Sequence, residues 1–318
     1  MKLLSLIFPT FAAAAGLCLC GAPSARAAVD TVTSTADSGP GTLRNTIAAA
    51  TAGDTIVFSP ALAGQTIYLT SGELVIGQNL TIDASQLVGG VAIDGGGNSR
   101  VLEISGSTVT MDALTLTNGY VDDDFGGGIF LDETNASLTA TNCAFRGNVS
   151  NGEYGGAIAT YGNLTLDNCS VSNNSASIFG GGIFNFGGIV TLNGCAVSGN
   201  DAQVGGGIEN EIGALTLNHC AASSNVASAF GGAIDSENGG TLALTNCVFA
   251  GNAGGAAGAL SIENTAVITS CIFSNNIATN GTGGAGGAIA TYDAITLNNC
   301  DFSGNRADNG GLGGGMIN

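Results

Sequence analysis

Tryptophan is missing from this chain of 318 residues, histidine occurs once, proline four times, and only six side chains are Lys or Arg. The shortage of basic residues excludes whole classes of partner. Nucleic acid binding draws much of its affinity from Lys and Arg neutralising phosphates, and anionic membranes attract proteins in the same way. Neither is expected here. The 24 Asp and Glu residues leave a formal charge of −18, which repels polyanions but leaves divalent cations open. Sustained helical periodicity is absent from the repeated part of the chain, so a helical solenoid does not fit.

Glycine is abundant, with 53 residues, and 44% of the chain is hydrophobic. Collagen would need glycine at every third position, and a disordered tract would need few aliphatic residues. Apolar strands cut at short intervals by Gly and Asn fit both numbers. Residues 1–28 read as an export signal. Lys2 supplies the positive start, Leu3 to Cys20 is apolar, and Ala25-Arg26-Ala27 offers small residues before a cut at Ala28. A retained anchor is the alternative, disfavoured by Pro9 and the small residues Ala12 to Gly16. Lipid attachment at Cys18 or Cys20 would put Leu17 and Leu19 where small residues are wanted. Cleavage leaves four basic residues (Arg44, Arg100, Arg146 and Arg306) against 24 acidic ones, a formal charge of −20 with no Lys.

Internal repetition organises the rest. Seven segments align on Cys143, Cys169, Cys195, Cys220, Cys247, Cys271 and Cys300, at spacings of 26, 26, 25, 27, 24 and 29. Five residues after each cysteine stands an asparagine: Asn148, Asn174, Asn200, Asn225, Asn252, Asn276 and Asn305. An apolar residue follows each cysteine at the second position, from Phe145 to Phe302, and pairs such as Leu164 and Leu166 precede it. Between these blocks recurs a small-residue run ending in an aliphatic residue, as in Gly155-Gly156-Ala157-Ile158 or Gly205 to Ile208. One such unit cannot close a core alone and needs neighbours above and below. The pattern predicts an all-β, right-handed parallel β-helix, with coils about 4.8 Å apart and equivalent residues in columns. Gly then bends the backbone where a side chain would clash. Asn supplies left-handed turns and an amide that can bond to its equivalent one coil away.

Residues 29–120 read as an N-terminal cap, at about 29–60, followed by irregular first coils, and residues 121–318 as the regular repeats. Strands are predicted at Asp30 to Thr35, Asp54 to Phe58, Thr66 to Thr70 and Leu80 to Asp83. Thr42 is placed to cap a short helix with Leu43, Ile47 and Ala50 on one face, covering the open edge of the first coil. The sequence stops inside a repeat, at Gly313 to Asn318, so a continuation in a longer protein is expected.

The Phe-x-x-Asn elements Phe145 to Asn148, Phe249 to Asn252 and Phe302 to Asn305 alternate with Gly-Gly-Ala-Ile at 155–158, 231–234 and 286–289. This alternation resembles the repeats of the polymorphic outer-membrane protein family. The opening Thr35 to Arg44, with Asp54 to Phe58, is similar to the start of bacterial surface proteins of the pectate-lyase-like β-helix superfamily. The resemblance implies a secreted or cell-surface passenger with an adhesive role. Autotransporting members end in a membrane barrel, which this sequence does not contain, so outer-membrane association would need a further C-terminal region. Val171, Val197 and Ala222 depart from the Phe-x-x-Asn pattern as core variation.

The cysteine column is expected to hold buried free thiols. In-register side chains lie about 4.8 Å apart and parallel, which suits neither a disulfide nor a tetrahedral zinc site, although an oxidising compartment keeps disulfides an alternative. His219 sits in a turn column otherwise occupied by Asn, Ser or Gly, and reads as structural. Asp122, Asp123 and Asp124 are the one arrangement that suggests calcium. Consecutive carboxylates diverge, so a solvated loop is expected and no cofactor is assigned. A lyase or hydrolase is the alternative function, but Arg100 has no basic neighbour and Asp201 no evident carboxylate partner. Cysteine-to-asparagine spacing never changes, whereas the asparagine-to-aliphatic gap runs from 8 residues (Asn200 to Ile208) to 13 (Asn276 to Ile289). Variable loops on one edge of a rigid stack point to binding of a surface ligand such as a glycan, with a surface-layer role as a third reading.

Overall fold

Short runs of alternating apolar and polar residues, each ended by a residue able to take a positive φ, give this chain strands of two to five residues joined by tight corners. The structure is a computed structural model and describes residues 27–280, 285–308 and 313–317. Residues 1–26 of the expected export segment lie outside the described residues. One coil shows the plan. Ile183–Phe186, Ile189–Asn193, Ala196–Ser198 and Asp201–Ala202 form its four sides, and Ile208–Glu211 opens the next. Each strand pairs in parallel with its counterpart one coil away, so the strands assemble into four sheets of 11, 10, 8 and 10 strands. The fold is an all-β parallel solenoid with almost no helix.

Register is fixed residue for residue. Leu164 faces Val190, Leu166 faces Leu192, and Val171 faces Val197, so the apolar positions form continuous columns inside the coil. Phe249, Phe273 and Phe302 stack with ring centroids 5.0 and 4.9 Å apart and interplanar angles of 7° and 11°. A one-residue slip would turn every such column outward, which is why the pairing is unambiguous.

Beside this apolar core runs a polar column. Asn174 donates from Nδ2 to Asn200 Oδ1 and to the Phe145 carbonyl, both at 3.0 Å. Asn200 Oδ1 also accepts the Asn174 backbone N–H at 3.0 Å. The same three bonds repeat from Asn148 to Asn305. Both donors and both lone pairs of an interior amide are therefore used, and burial of a polar group costs little once it is satisfied.

The ladder asparagines do not themselves make the left-handed corners. That role falls to the residue before each of them (Asn173, Gly199 and Ser224, for example) and to the residue before each cysteine, with φ between +50° and +63°. Residues such as Asn142, His219 and Ser270 occupy these corners. The division of labour has a simple cause, since an amide tied to the coils on both sides needs an ordinary backbone. Within the small-residue runs, a Cβ at Gly181 would overlap the carbonyl oxygens of Asp201 and Gly206, so close passage of neighbouring coils demands glycine there.

The seven cysteines at 143–300 form a third column of free thiols, six buried and Cys300 half-buried. The Cys169 backbone N–H donates to Cys195 Sγ at 3.4 Å, and the Cys195 thiol donates to the Leu166 carbonyl at 3.2 Å. The bond from Cys143 together with burial pushes the Cys169 thiol up to about 12, so it carries no thiolate at neutral pH.

At the N-terminus, the strand Val29–Val32 pairs with Asp54–Phe58. It is shorter than the sequence suggests because the Thr33 and Ser34 N–H groups turn to the Gly41 carbonyl instead. The helix Leu43–Ala49 starts at Thr42, whose side chain accepts the Asn45 N–H, and it sends Leu43 and Ile47 into the core; Ala50 lies just past its end. Asp37 fastens this segment to the next coil. Burial works against its charge, but hydrogen bonds from Ser71, Arg44 and Thr70 hold its carboxyl down to about 2. The eight-stranded sheet begins only at Tyr120–Val121, so the preceding coils lack that side, which accounts for their irregular sequence. Among the described residues no helix is long and apolar enough to cross a membrane.

Replacing Asn200 with Ala removes the side-chain partner of the Val171 carbonyl, of the Asn174 N–H and of one Asn174 Nδ2 hydrogen, while Asn225 Oδ1 keeps the bond from the backbone N–H of residue 200. The expected loss is about 3 kcal/mol, from unsatisfied buried groups at roughly 1–3 kcal/mol each. Chemical denaturation measures it, and hydrogen exchange at the Asn174 amide should accelerate before that of distant coils. Thiol labelling of the native chain should reach Cys300 first and leave Cys195 unmodified until unfolding.

Candidate binding face

The side chains of the fourteen predicted ladder residues point into the coil, and only Cys300 and Asn305 are not fully buried. Function has to be sought on the outward positions of the strands. One side differs from the others. It is the ten-stranded sheet running from Leu74–Ile76 through Ile183–Phe186 to Met316–Ile317. Alternation along its strands places two columns of side chains outward, one with Phe130, Ala159, Phe184, Glu209, Asp235 and Ser261, the other with Tyr161, Phe186, Glu211 and Glu237. The variable loops flank it.

Three successive loops each place an aromatic ring beside this sheet just before the glycine run. Phe125 stacks on Tyr154 at 4.8 Å, and Tyr154 on Phe179 at 5.3 Å. Across from them, Tyr161 meets Phe186 edge-on at 5.5 Å, and Phe184 forms the floor, 4.7 Å from Tyr154. Between the two rows lies a cavity of about 210 Å³ lined by Phe125, Tyr154, Tyr161, Phe184, Phe186 and Glu211. Burial raises the Tyr154 and Tyr161 phenols, so both hydroxyls stay protonated and can donate. Beside the trough, the exposed Ile212 holds φ at +67°, a strained value for a β-branched residue and one found mostly at working surfaces.

Toward the N-terminus the trough meets a charge cluster. Arg100 is 3% exposed and pairs with Asp124 at 2.5 Å, Glu73 at 2.6 Å and Glu103 at 3.0 Å. Its guanidinium also lies 5.2 Å from the Phe130 ring centre. Arg100 therefore anchors the loop containing Asp122, Asp123 and Asp124. Those three carboxylates do not converge: Asp124 goes to Arg100, and Asp122 accepts from Asn151 at 2.8 Å. Among the described residues no three His, Cys, Asp or Glu side chains are grouped as metal ligands would be. His219 is exposed in its corner, where its ring Nε2 lies 3.2 Å from Asn246 Nδ2 and its backbone N–H donates to the Thr245 carbonyl.

Toward the C-terminus the face becomes acidic. Glu209 and Asp235 are in register on neighbouring coils, 0% and 3% exposed. Both Glu209 oxygens and Asp235 Oδ1 lack a hydrogen-bond partner. Burial, reinforced by Asp235, Glu237 and Glu211, pushes the Glu209 carboxyl well above its usual range. Burial likewise carries Asp235 to about 7, against bonds from Ser261 and the Gly231 N–H.

Sequence reasoning located the variable loops but not this face. A signal was present in the residue just before the glycine runs of the first regular coils: Phe125, Tyr154, Phe179 and Phe230 are aromatic, whereas Val204 and the later Ala257, Ala285 and Leu312 are not. The alternation inside each aliphatic-ended strand holds the rest.

Residues 90–267 match the family described as the right handed beta helix region; the chain belongs to that family, which sets the hand of its coil. Among solved structures, the pectate lyase Pel9A is similar at a TM-score of 0.51 and 16% identity, over 86% of this chain and 78% of that one. At that identity the likeness concerns the fold. No curated protein matches the chain.

Two outcomes follow from these charges. Arg100→Ala should destabilise the chain by about 2–3 kcal/mol by leaving Glu73, Glu103 and Asp124 uncompensated, below the full cost of breaking a buried pair because the carboxylates are partly solvated. Lowering the pH should recover part of that loss. The second outcome concerns Asp235, whose folded value of about 7 exceeds the ordinary 3.8. Its stabilising effect is complete below the unfolded value and is lost as pH rises through the folded one. The melting temperature should therefore fall between about pH 4 and pH 7, and Glu209→Gln with Asp235→Asn should flatten that slope.

Proposed function

We propose that this chain is a non-catalytic, exported surface protein that holds a glycan along its aromatic and acidic face. The observation that carries the reading is the trough of about 210 Å³ between two rows of rings. Sugar rings present apolar C–H faces and a rim of hydroxyls. Aromatic walls bury the former, while Glu211 and the two phenols meet the latter. The rows extend along the solenoid axis over successive coils, a geometry suited to a polymer. Variable loops on a rigid stack let such a surface change without disturbing the core. The resemblance to polymorphic outer-membrane repeats and the expected export signal support display at the cell surface, with attachment through a further region.

A second reading, polysaccharide cleavage, is favoured by the raised carboxyls of Glu209 and Asp235 and by the fold shared with Pel9A. Hydrolases need paired carboxyl groups on either side of a reachable bond. Glu209 is wholly buried, which argues against that role.

A glycan array probed with the refolded chain separates the two. Binding is expected, and Tyr154→Ala with Phe186→Ala should weaken it about tenfold, the effect of about 1.4 kcal/mol. Release of reducing or unsaturated sugar ends would replace the binding reading with the enzymatic one. Silence in both assays would favour a surface-layer role.

A further inference from the structure

We propose that the acidic stretch of this face binds the protonated amines of an amino-sugar polymer whose rings lie in the adjoining aromatic trough. The inference deepens the glycan reading and rests on it. Its basis is a set of carboxylates that, among the described residues, have no counter-charge and share only the neutral Asn238 amide, which donates to Glu211 and Glu237. Glu211 and Glu237 are in register on neighbouring coils. Glu263 continues the row, with its backbone N–H on the Ser236 carbonyl at 2.8 Å. Successive rungs therefore offer outward carboxylates about 4.8 Å apart. The ion pairs among the described residues involve Arg44, Arg100 and Arg306, and none reaches this row.

An independent observation points the same way. On the same outward side, Glu209 and Asp235 bury three carboxyl oxygens that accept no hydrogen bond. Unsatisfied buried groups are costly, and burial with the row's like charges is what holds these two carboxyls protonated. An ammonium group seated on the exposed row supplies three donors to its carboxylates and a charge that eases the strain on the buried pair without touching it. A neutral hydroxyl supplies a donor but leaves the like charges of the row opposed, and a uronate would add to them.

Geometry then selects a sugar over a simple polyamine. Glu211 belongs at once to the acidic row and to the wall of the aromatic trough. A ligand that engages both must carry amines on ring-shaped units. Each unit of an extended pyranose chain advances by close to the rung spacing and alternate units face the same way, so amines on alternate sugars would meet carboxylates on alternate coils, such as Glu211 and Glu263, each contact raising the effective concentration for the next.

Calorimetric titration of the full chain in mildly acidic buffer tests this with three probes: short glucosamine oligomers, their N-acetylated counterparts, and spermine. The glucosamine oligomers should bind at least about tenfold more tightly than either other probe, and the advantage should shrink with added salt. The combined variant E237Q/E263Q, which leaves the trough lining intact, should erase the advantage over the N-acetylated oligomers. Its affinity for the acetylated sugars should stay unchanged, and its melting temperature should not fall. Equal affinity for the two sugars overturns the amine assignment while leaving the glycan reading intact. Spermine binding as tightly as the glucosamine oligomers would remove the role of the rings. Failure of both sugars to bind would end both readings.

Discussion

Each coil of this protein is completed by the coil beside it, and the asparagine ladder is where that dependence is strongest. An amide buried at the corner of a coil has two donors and two lone pairs to satisfy. Here they are satisfied by the backbone and the equivalent amide of adjacent coils. The bonds form only if neighbouring coils superpose residue on residue. The leucine and phenylalanine columns tolerate substitution, as Val190 shows beside Leu164 and as Val197 and Ala222 show beneath Phe249. The asparagine column admits none among its seven rungs, because a side chain of other shape or valence would strand groups on two coils at once.

The ladder also explains which parts of the fold were legible in the sequence. The constant distance from Cys169 to Asn174, repeated in every unit, reflects a corner whose geometry is set by hydrogen bonds. Such a constraint prints itself on residue identity. The helix behind Thr42 and the strands Asp54–Phe58 and Leu80–Asp83 could be read because their patterns are local. Two local inferences failed for physical reasons. The left-handed corners belong to the neighbours of the ladder asparagines, and the first strand ends early at a loop bond to Gly41.

The binding face was far less legible. Tyr154 and Tyr161 lie in one repeat, Phe179 and Phe186 in the next, and nothing in the linear order brings these two rows together around Phe184. Stacking creates the surface, so it appears only once the register is known. The same holds for Arg100, which looked isolated as a base and proves to be surrounded by carboxylates from separate coils. Conversely, the conspicuous residues, cysteine and asparagine, turn inward and serve the fold. Conspicuous repetition here marks the scaffold, while variation at the outward positions marks the working surface.

Seen along its axis, that surface changes character in steps: an arginine-centred cluster, then rings, then carboxylates without counter-charges. The scaffold needs none of this sequence of environments, since outward positions on the other sheets carry mostly small polar residues. A crystal structure of the chain grown with a bound oligosaccharide tests the account most directly. The sugar should lie parallel to the solenoid axis, between the Phe125–Tyr154–Phe179 row and the Tyr161–Phe186 row, with its polar rim at Glu211. Sugar density on a different sheet, or a cleaved product in the trough, would contradict it.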